Sequence, residues 1–173
     1  MKQINIQYYK TKYAHFILGS FEDKLCLLDF KYRKMRTTVD KRLQNGFDAQ
    51  FVEQDNEILK KTREQIDEYF NMERIEFDIP IVTTGTQFQK KVWEALIKVP
   101  YGTTSTYLQL AKDIDNEKAV RAVASANGAN SIALIIPCHR IIGSDGELTG
   151  YGGGLALKKR LLKLEQNLFA NKK

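Results

Sequence analysis

The sequence has few cysteines, few histidines and no long apolar run, and each shortage excludes a class of protein. Two cysteines, Cys26 and Cys138, are too few for the disulfide framework of a small secreted domain. Neither lies in a Cys/His cluster with the spacing of zinc ligands. No apolar stretch is long enough to span a bilayer, and the first residues lack the apolar region of a signal peptide. We therefore expect a cytoplasmic protein with reduced thiols and without a metal, a cofactor or a membrane partner.

The charge of the chain is basic, with 27 Lys and Arg against 21 Asp and Glu, a net charge of +6. A basic surface gains affinity for nucleic acid by releasing counterions from phosphates, so this balance favours a polyanionic partner. An ordinary, mildly basic globular protein has the same balance. The charge alone leaves both interpretations open.

The first half of the sequence is typical of strands followed by one helix. Residues 13–30 hold two apolar runs separated by residues 20–24, which predicts a hairpin. Cys26 falls in the second run, where a buried core thiol is expected. The basic stretch 31–41 is predicted to be a solvated loop, and the apolar period of residues 57–70 predicts a helix.

The second half contains a candidate helix-turn-helix. Thr86 and Gln89 have the spacing of a capping box, which begins a helix that ends near Pro100. TYLQLAKDI (106–114) predicts a second helix. After a polar turn, EKAVRAVASANGA (117–129) predicts a third, and short helices joined in this way are typical of the motif.

The third predicted helix places one long cation above small residues. Arg121 has Ala124 and Ser125 as helical neighbours. A helix without bulk on its outer face can approach another surface closely, and its arginine can enter a groove or the space left by an extruded base. An ordinary exposed arginine on an alanine-rich helix has the same pattern and, taken alone, is the better interpretation.

A cysteine and a histidine are adjacent in SIALIIPCHRIIG (131–143). Ile132 to Ile136 predicts a buried strand that must stop pairing at Pro137. Cys138 would stand at its end, with His139 as the candidate base for the thiol. Neighbouring side chains of an extended chain point to opposite faces, so either the chain bends here or a water carries the proton.

A glutamate occupies an apolar position of the last predicted helix, residues 155–169. A buried carboxylate is costly unless it is paired. Glu165 can therefore orient His139 in a relay that begins at Cys138. It can equally reach solvent or pair with a lysine such as Lys163 or Lys173, and its spacing leaves both open. Its helical neighbours are apolar: Leu161, Leu162, Leu168 and Phe169.

A glycine-rich segment, GSDGELTGYGGG (143–154), separates the cysteine from the last helix. It predicts a loop with unusual backbone angles that is either mobile or closely approached by a ligand. Tyr151 is its single aromatic residue.

Together these motifs resemble the O6-alkylguanine-DNA alkyltransferase family, also called methylated-DNA–protein-cysteine methyltransferases. The resemblance covers residues 86–169, and its most specific element is Pro-Cys-His-Arg followed by Gly-Tyr-Gly-Gly. The family usually has a glycine where Ala124 stands. The resemblance implies an α+β fold: a strand-rich, ribonuclease-H-like domain in residues 1–80 precedes a mostly helical, winged helix-turn-helix catalytic domain in residues 84–173.

The resemblance also implies a reaction. A monomer would flip O6-alkylguanine, and by extension O4-alkylthymine, out of double-stranded DNA and transfer the alkyl group irreversibly to Cys138 in a single turnover. His139 would be the base through a water, and Glu165 would orient it. Tyr107 would donate a proton to the leaving base, and Asn130 would tie the cysteine segment to the recognition helix.

Further residues are assigned by the same resemblance. The DNA-binding positions would be Arg121, Ala122, Ala124 and Ser125. The pocket for the flipped base would include Tyr151, Gly152 and Ile141.

Three other functions share parts of this pattern. A thiol hydrolase with a Cys-His-Glu triad would turn over many times and leave Arg121 without a role. A non-catalytic binder of alkylated bases would have a bulky residue in place of Cys138. A plain helix-turn-helix regulator would need neither Cys138 nor Glu165. Alkyl transfer is preferred because it uses all of these features.

Overall fold

The computed structural model describes residues 2–171, with side chains up to residue 166. The chain divides into two compact units, Met1–Gly85 and Thr86–Lys173. The segment after Pro80 belongs with the first unit, because Leu25 donates its N–H to Pro80 O and accepts from Val82 N–H, both over 2.9 Å. In the described residues, no helix combines the length and the apolar composition needed to cross a membrane.

The first unit contains four strands: β1 (Lys2–Lys10), β2 (His15–Phe21), β3 (Lys24–Phe30) and β4 (Ala49–Glu53). They form one sheet in the order β3-β2-β1-β4. The neighbouring pairs β1–β2 and β2–β3 are antiparallel, and β4 lies parallel to β1. The predicted hairpin is confirmed: Glu22 and Asp23 form its two-residue turn, with φ of 49° and 64°, as the twist of adjacent strands favours.

Two helices complete the first unit, α1 (Arg36–Phe47) and α2 (Glu57–Phe70). The prediction of α2 is confirmed, but the loop predicted over residues 31–41 is wrong from Arg36 onward, where α1 begins. Helix α1 contributes Val39 and Leu43 to the core. The basic residues at its start are bonded to Asp29, which is buried in β3. The Asp29 carboxylate forms ion pairs with Arg33 and Arg36, each with an Nη1–Oδ2 distance of 3.1 Å. These basic residues therefore stabilise the fold.

Cys26 is a core residue, as the sequence predicts. Its side chain has no exposed surface and packs with Ile4, Leu27 and Leu43 on the sheet face that α1 covers. Burial raises the pKa of the Cys26 thiol to about 12. This thiol is therefore protonated and unreactive near neutral pH.

The second unit is mostly helical. The capping box that begins its first helix is confirmed, since Thr86 Oγ1 accepts from Gln89 N–H over 3.1 Å and Gln89 Oε1 accepts from Thr86 N–H over 2.9 Å. Two short strands, β5 (Ser105–Thr106) and β6 (Ile141–Ile142), pair in parallel. The elements are α3 (Gln87–Ile97), β5 (Ser105–Thr106), α4 (Tyr107–Asp113), α5 (Val120–Gly128), β6 (Ile141–Ile142) and α6 (Leu155–Asn171).

Helices α4 and α5 form the predicted helix-turn-helix, although α5 begins at Val120 rather than Glu117. The inner face of α5 packs on α3. There the Trp93 indole N–H donates to Ala126 O over 2.9 Å in a buried contact. This contact fixes which side of α5 faces outward. The outer side carries Arg121.

The strand predicted from Ile132 to Ile136 is wrong, although the segment is buried. It folds into tight turns in which Ile136 N–H donates to Ile132 O over 3.0 Å and Leu134 has a φ of 70°. A short apolar run has the same pattern in a strand and in a buried turn, so periodicity does not separate them. Cys138 consequently begins a 3₁₀ turn, Cys138–Arg140, instead of ending a strand.

Candidate active site

The Asn130 side chain holds the turn that carries Cys138. Its Nδ2 donates to Ile136 O over 2.8 Å and lies 3.4 Å from Ile132 O, while Oδ1 accepts from Ile132 N–H over 2.9 Å. The same Nδ2 lies 3.3 Å from Cys138 Sγ. Both side chains are nearly buried. A donor at this distance favours the thiolate over the thiol.

His139 and Glu165 meet in the interior of the second unit. His139 Nε2 lies 2.7 Å from Glu165 Oε2, and neither residue is exposed. Glu165 thus pairs with the histidine and not with Lys163. Lys173 lies outside the described residues, as do the side chains of Leu168 and Phe169, which the sequence places beside Glu165.

Arg140 is the second partner of Glu165. Its guanidinium donates from Nε to Oε1 over 2.9 Å and from Nη2 to Oε2 over 3.0 Å, and Nη1 donates to Val99 O over 2.8 Å. Burial raises the pKa of Glu165, but the hydrogen bond to His139 and the hydrogen bonds and charge of Arg140 outweigh burial and hold this pKa well below its usual range. Glu165 is therefore an anion whose charge Arg140 balances.

The protonation of His139 follows from these contacts. Burial lowers its pKa, the hydrogen bond to Glu165 opposes the shift, and the charges of Arg140 and Lys158 lower it further. The imidazole is neutral near pH 7, and Glu165 fixes its proton on Nε2. Nδ1 then carries the basic lone pair. This atom is buried and has no hydrogen-bond partner among the described residues.

The glycine-rich loop, residues 143–154, lies against this pair. Gly146, Gly150 and Gly154 have φ of 85°, 40° and 92°, angles that glycine adopts readily, so the predicted unusual backbone is confirmed. The Tyr151 ring lies edge-on to the His139 ring, with centroids 6.4 Å apart.

Tyr107 faces the glycine-rich loop and not the core. Its hydroxyl lies 3.3 Å from Thr149 O, and the Thr149 hydroxyl lies 3.1 Å from the Tyr107 oxygen. The side chain is half-buried at the start of α4. Tyr107 thus contacts Thr149 of the loop, and Tyr151 of the same loop faces His139.

Lys158 is a residue of this region that the sequence patterns did not single out. It is fully buried, and its Nζ donates to Thr149 O over 2.7 Å and to Gly150 O over 3.3 Å. A signal is nonetheless present in the sequence. Lys158 lies one heptad before Glu165, on the same helical stripe as Leu161, where a charged residue needs an explanation.

The outer face of α5 is small and basic. Arg121, Ala122 and Ser125 are exposed, and Ala124 is half-buried. Residues 86–173 contain 13 of the 27 basic side chains but only 7 of the 21 acidic ones, so the whole excess of positive charge lies in this unit. Among the described residues, His, Cys, Asp and Glu form no group of three or more suited to a metal ion.

Comparison with known proteins identifies both units. Residues 4–83 match the family model of the 6-O-methylguanine DNA methyltransferase ribonuclease-like domain, and residues 87–167 match that of its DNA binding domain. The strand-rich N-terminal unit and the helical second unit are the fold that the sequence predicts.

The chain is similar to two relatives that carry the same name. It is 43% identical over 151 residues to a methylated-DNA–protein-cysteine methyltransferase of Methanosarcina barkeri, covering 87% of this chain and 90% of the relative. A Mycobacterium tuberculosis protein of the same name is 50% identical over 104 residues, 60% of this chain and 63% of that protein. The crystal structure of M. tuberculosis OGT in complex with DNA superposes with a TM-score of 0.80 at 35% identity, covering 95% and 94% of the two chains. The chain therefore belongs to the methylated-DNA–protein-cysteine methyltransferase family.

Proposed function

We propose that this protein repairs O6-alkylguanine in double-stranded DNA by transferring the alkyl group to Cys138. The observation that carries the proposal is the buried arrangement around the sulfur. Asn130 contacts Sγ over 3.3 Å, and the next residue, His139, is held by Glu165 over 2.7 Å. The arrangement supplies a nucleophile, a base and an orienting acid.

Activation of the thiol depends on the tautomer of His139. Because Nε2–H donates to Glu165, Nδ1 is free to accept a proton, and a bridging water would deliver it from Cys138 Sγ. The lowered pKa of His139 keeps it neutral and able to act as a base near pH 7. Glu165 stays ionised and does not take the proton.

The transfer itself is an in-line displacement at a saturated carbon. The Cys138 thiolate forms a bond to the alkyl carbon while the bond from that carbon to O6 of guanine breaks. The leaving base takes a proton, for which Tyr107 is the donor. Its hydroxyl contacts Thr149 of the glycine-rich loop, and the resemblance places Tyr151 and Gly152 of that loop in the pocket for the flipped base.

The product is stable, so the protein acts once. A thioether has no carbonyl to polarise and no good leaving group, in contrast to the thioester of a thiol hydrolase. We therefore expect one repair for each molecule, carried out by a monomer. The reaction needs a reduced thiol, which suits a cytoplasmic location. O4-alkylthymine presents the same kind of alkyl carbon and is a further expected substrate.

Recognition of DNA is assigned to the outer face of α5. Arg121 is exposed above the small residues Ala122, Ala124 and Ser125, so the helix can approach a groove and its guanidinium can replace an extruded base. The excess of positive charge in residues 86–173 favours a phosphate-lined partner. Ile141, Tyr151 and Gly152 would line the pocket for the flipped base.

The test is an intact-mass measurement after the protein is mixed with a duplex that carries one O6-methylguanine. We expect a stoichiometric gain of one methylene, mapped to Cys138, which disappears in Cys138→Ser. Cys26→Ser is the matched control and should keep the gain, because the Cys26 thiol is buried and protonated. Tight binding to this duplex without a mass gain would indicate a damage-recognition protein instead of a repair protein. Repeated turnover would indicate a hydrolase.

A further inference from the structure

We propose that Lys158 is a positioning residue of this site, whose ammonium group both holds the glycine-rich loop and stabilises the thiolate of Cys138. The inference rests on the proposed function and extends it. It assigns a role to a buried charge that the relay of cysteine, histidine and glutamate does not use.

The burial of Lys158 needs compensation. Its side chain has no exposed surface, and lysine is among the residues least often fully buried. In the part of the chain that is described, no carboxylate forms an ion pair with it. Its hydrogen bonds go to two loop carbonyls, Thr149 O at 2.7 Å and Gly150 O at 3.3 Å. These contacts satisfy donors but do not neutralise the charge.

Lys158 lies two helical turns before Glu165, on the same side of α6, and α6 packs against the 3₁₀ turn that begins with Cys138. On the 3₁₀ turn, His139 is neutral and Arg140 is engaged by Glu165 of α6 through two hydrogen bonds. Burial lowers the pKa of Lys158, and the charge of Cys138 opposes that shift. The same attraction, acting in the other direction, favours the thiolate of Cys138 over the thiol.

The contacts with the glycine-rich loop fix the position of the Lys158 ammonium group. Thr149 O accepts from Lys158 Nζ over 2.7 Å and lies 3.3 Å from the Tyr107 hydroxyl. One carbonyl therefore connects the cation of α6, the proposed proton donor of α4 and the loop. Tyr151, two residues further along this loop, faces His139. A displaced Lys158 would disturb the loop and the thiolate together, while a charge-conserving substitution would preserve the electrostatic part.

The experiment measures the thiolate without DNA. Iodoacetamide alkylates cysteine through the thiolate, with loss of iodide, and its rate against pH reports the pKa of the thiol. The full-length protein is treated over a range of pH, and peptide mass spectrometry follows Cys138. Cys26 is an internal reference, because burial raises the pKa of its thiol to about 12. The variants are Lys158→Met, Lys158→Arg and, as a matched control, Lys159→Met at an exposed neighbouring position.

We expect Lys158→Met to slow Cys138 alkylation at pH 7 by about tenfold or more and to move the midpoint of the profile to higher pH, since a nearby opposite charge shifts a pKa by about one to three units. Lys158→Arg should restore most of the rate, and Lys159→Met should match the unmodified protein. Thermal unfolding of each variant identifies loss of fold. If Lys158→Met does not fold, Lys158→Gln provides the same neutral substitution with a polar end.

Two outcomes would overturn the proposal: a folded, neutral Lys158 variant with an unchanged midpoint, or an arginine variant as impaired as the neutral one. Repair of an O6-methylguanine duplex is measured on the same samples. If the unmodified protein repairs the duplex but the midpoint of the alkylation profile does not depend on Lys158, only this inference is rejected. A midpoint that depends on Lys158 in a protein that repairs nothing rejects the proposed function and leaves this inference standing.

Discussion

His139 and Glu165 are joined by a 2.7 Å contact between Nε2 and Oε2, and both residues are fully buried. The contact determines the histidine tautomer, because an ionised carboxylate accepts the Nε2 proton. Arg140 then balances the carboxylate through two further hydrogen bonds. The outcome is a neutral histidine beside a balanced ion pair, which is the state that a general base requires near neutral pH.

Removing the charge of Glu165 should affect both stability and repair. In Glu165→Gln the Arg140 guanidinium stays buried without its counterion, and breaking such a pair costs about 3–5 kcal/mol. The amide can also present a donor to His139 and reverse its tautomer, so alkyl transfer should slow. Urea unfolding and single-turnover repair measure the two effects. Glu94→Gln, at an exposed position of α3, should change neither, and a Glu165→Gln protein as stable as the original would contradict the assignment.

The pH dependence of repair should follow His139. Burial lowers the pKa of His139 below its ordinary value of 6.5, so the neutral base persists as the pH falls through 6.5 and is lost only at the lower pKa of the folded protein. The free energy of unfolding should change in the same direction. The stabilisation that accompanies a neutral His139 is present above pH 6.5 and is lost as the pH falls through the lower pKa of the folded protein. Single-turnover rates against pH should place the acid limb below 6.5. An acid limb at or above pH 6.5 would show that burial does not control the pKa of His139.

The sequence predicts the parts of this molecule that depend on local chemistry. Thr86 and Gln89 form the capping box because both partners lie within one turn of helix. The 57–70 helix has a strong apolar stripe, and the Glu22–Asp23 turn has the length that a hairpin requires. The need of Glu165 for a buried partner is also evident from its apolar neighbours.

The contacts that the sequence does not predict join residues distant along the chain. The turns of residues 132–136 replace a strand because Asn130 supplies the hydrogen bonds that a neighbouring strand would otherwise give. Arg36, the first residue of helix α1, is bonded to the buried carboxylate of Asp29. Lys158 is buried because two carbonyls of the glycine-rich loop face it. The spacing of apolar residues along the sequence does not predict such partners.

Asn130 should control both the fold of the cysteine turn and the reactivity of its thiol. Asn130→Ala removes the contacts to Ile132, Ile136 and Cys138 Sγ, and each buried group left unsatisfied costs roughly 1–3 kcal/mol. We expect a lower unfolding midpoint in urea and slower alkylation of Cys138 by iodoacetamide at pH 7. Asn116→Ala, at an exposed position in the turn between α4 and α5, is the control. Unchanged thiol reactivity in a folded Asn130→Ala protein would remove Asn130 from the stabilisation of the thiolate.

Binding to undamaged duplex should weaken as salt increases. The whole excess of positive charge lies in residues 86–173, and each neutralised phosphate contributes a slope of about 0.9 in the logarithm of affinity against the logarithm of salt concentration. Titration of the Cys138→Ser protein with labelled duplex at several salt concentrations measures this slope. A salt-independent affinity would contradict a phosphate-contacting surface.

Arg121 should matter only when a base must leave the duplex. In Arg121→Ala nothing fills the gap in the stack, and extrusion of a paired base costs a few kcal/mol. Because about 1.4 kcal/mol corresponds to a tenfold change in rate, we expect repair of a duplex to slow by at least about tenfold. Reaction with the free O6-alkylguanine base, which needs no extrusion, should keep its rate. Lys118→Ala, an exposed cation just before α5, should reduce binding slightly and preserve the ratio of the two rates. Equal losses on duplex and free base in Arg121→Ala would exclude Arg121 from base extrusion and leave it as a phosphate contact.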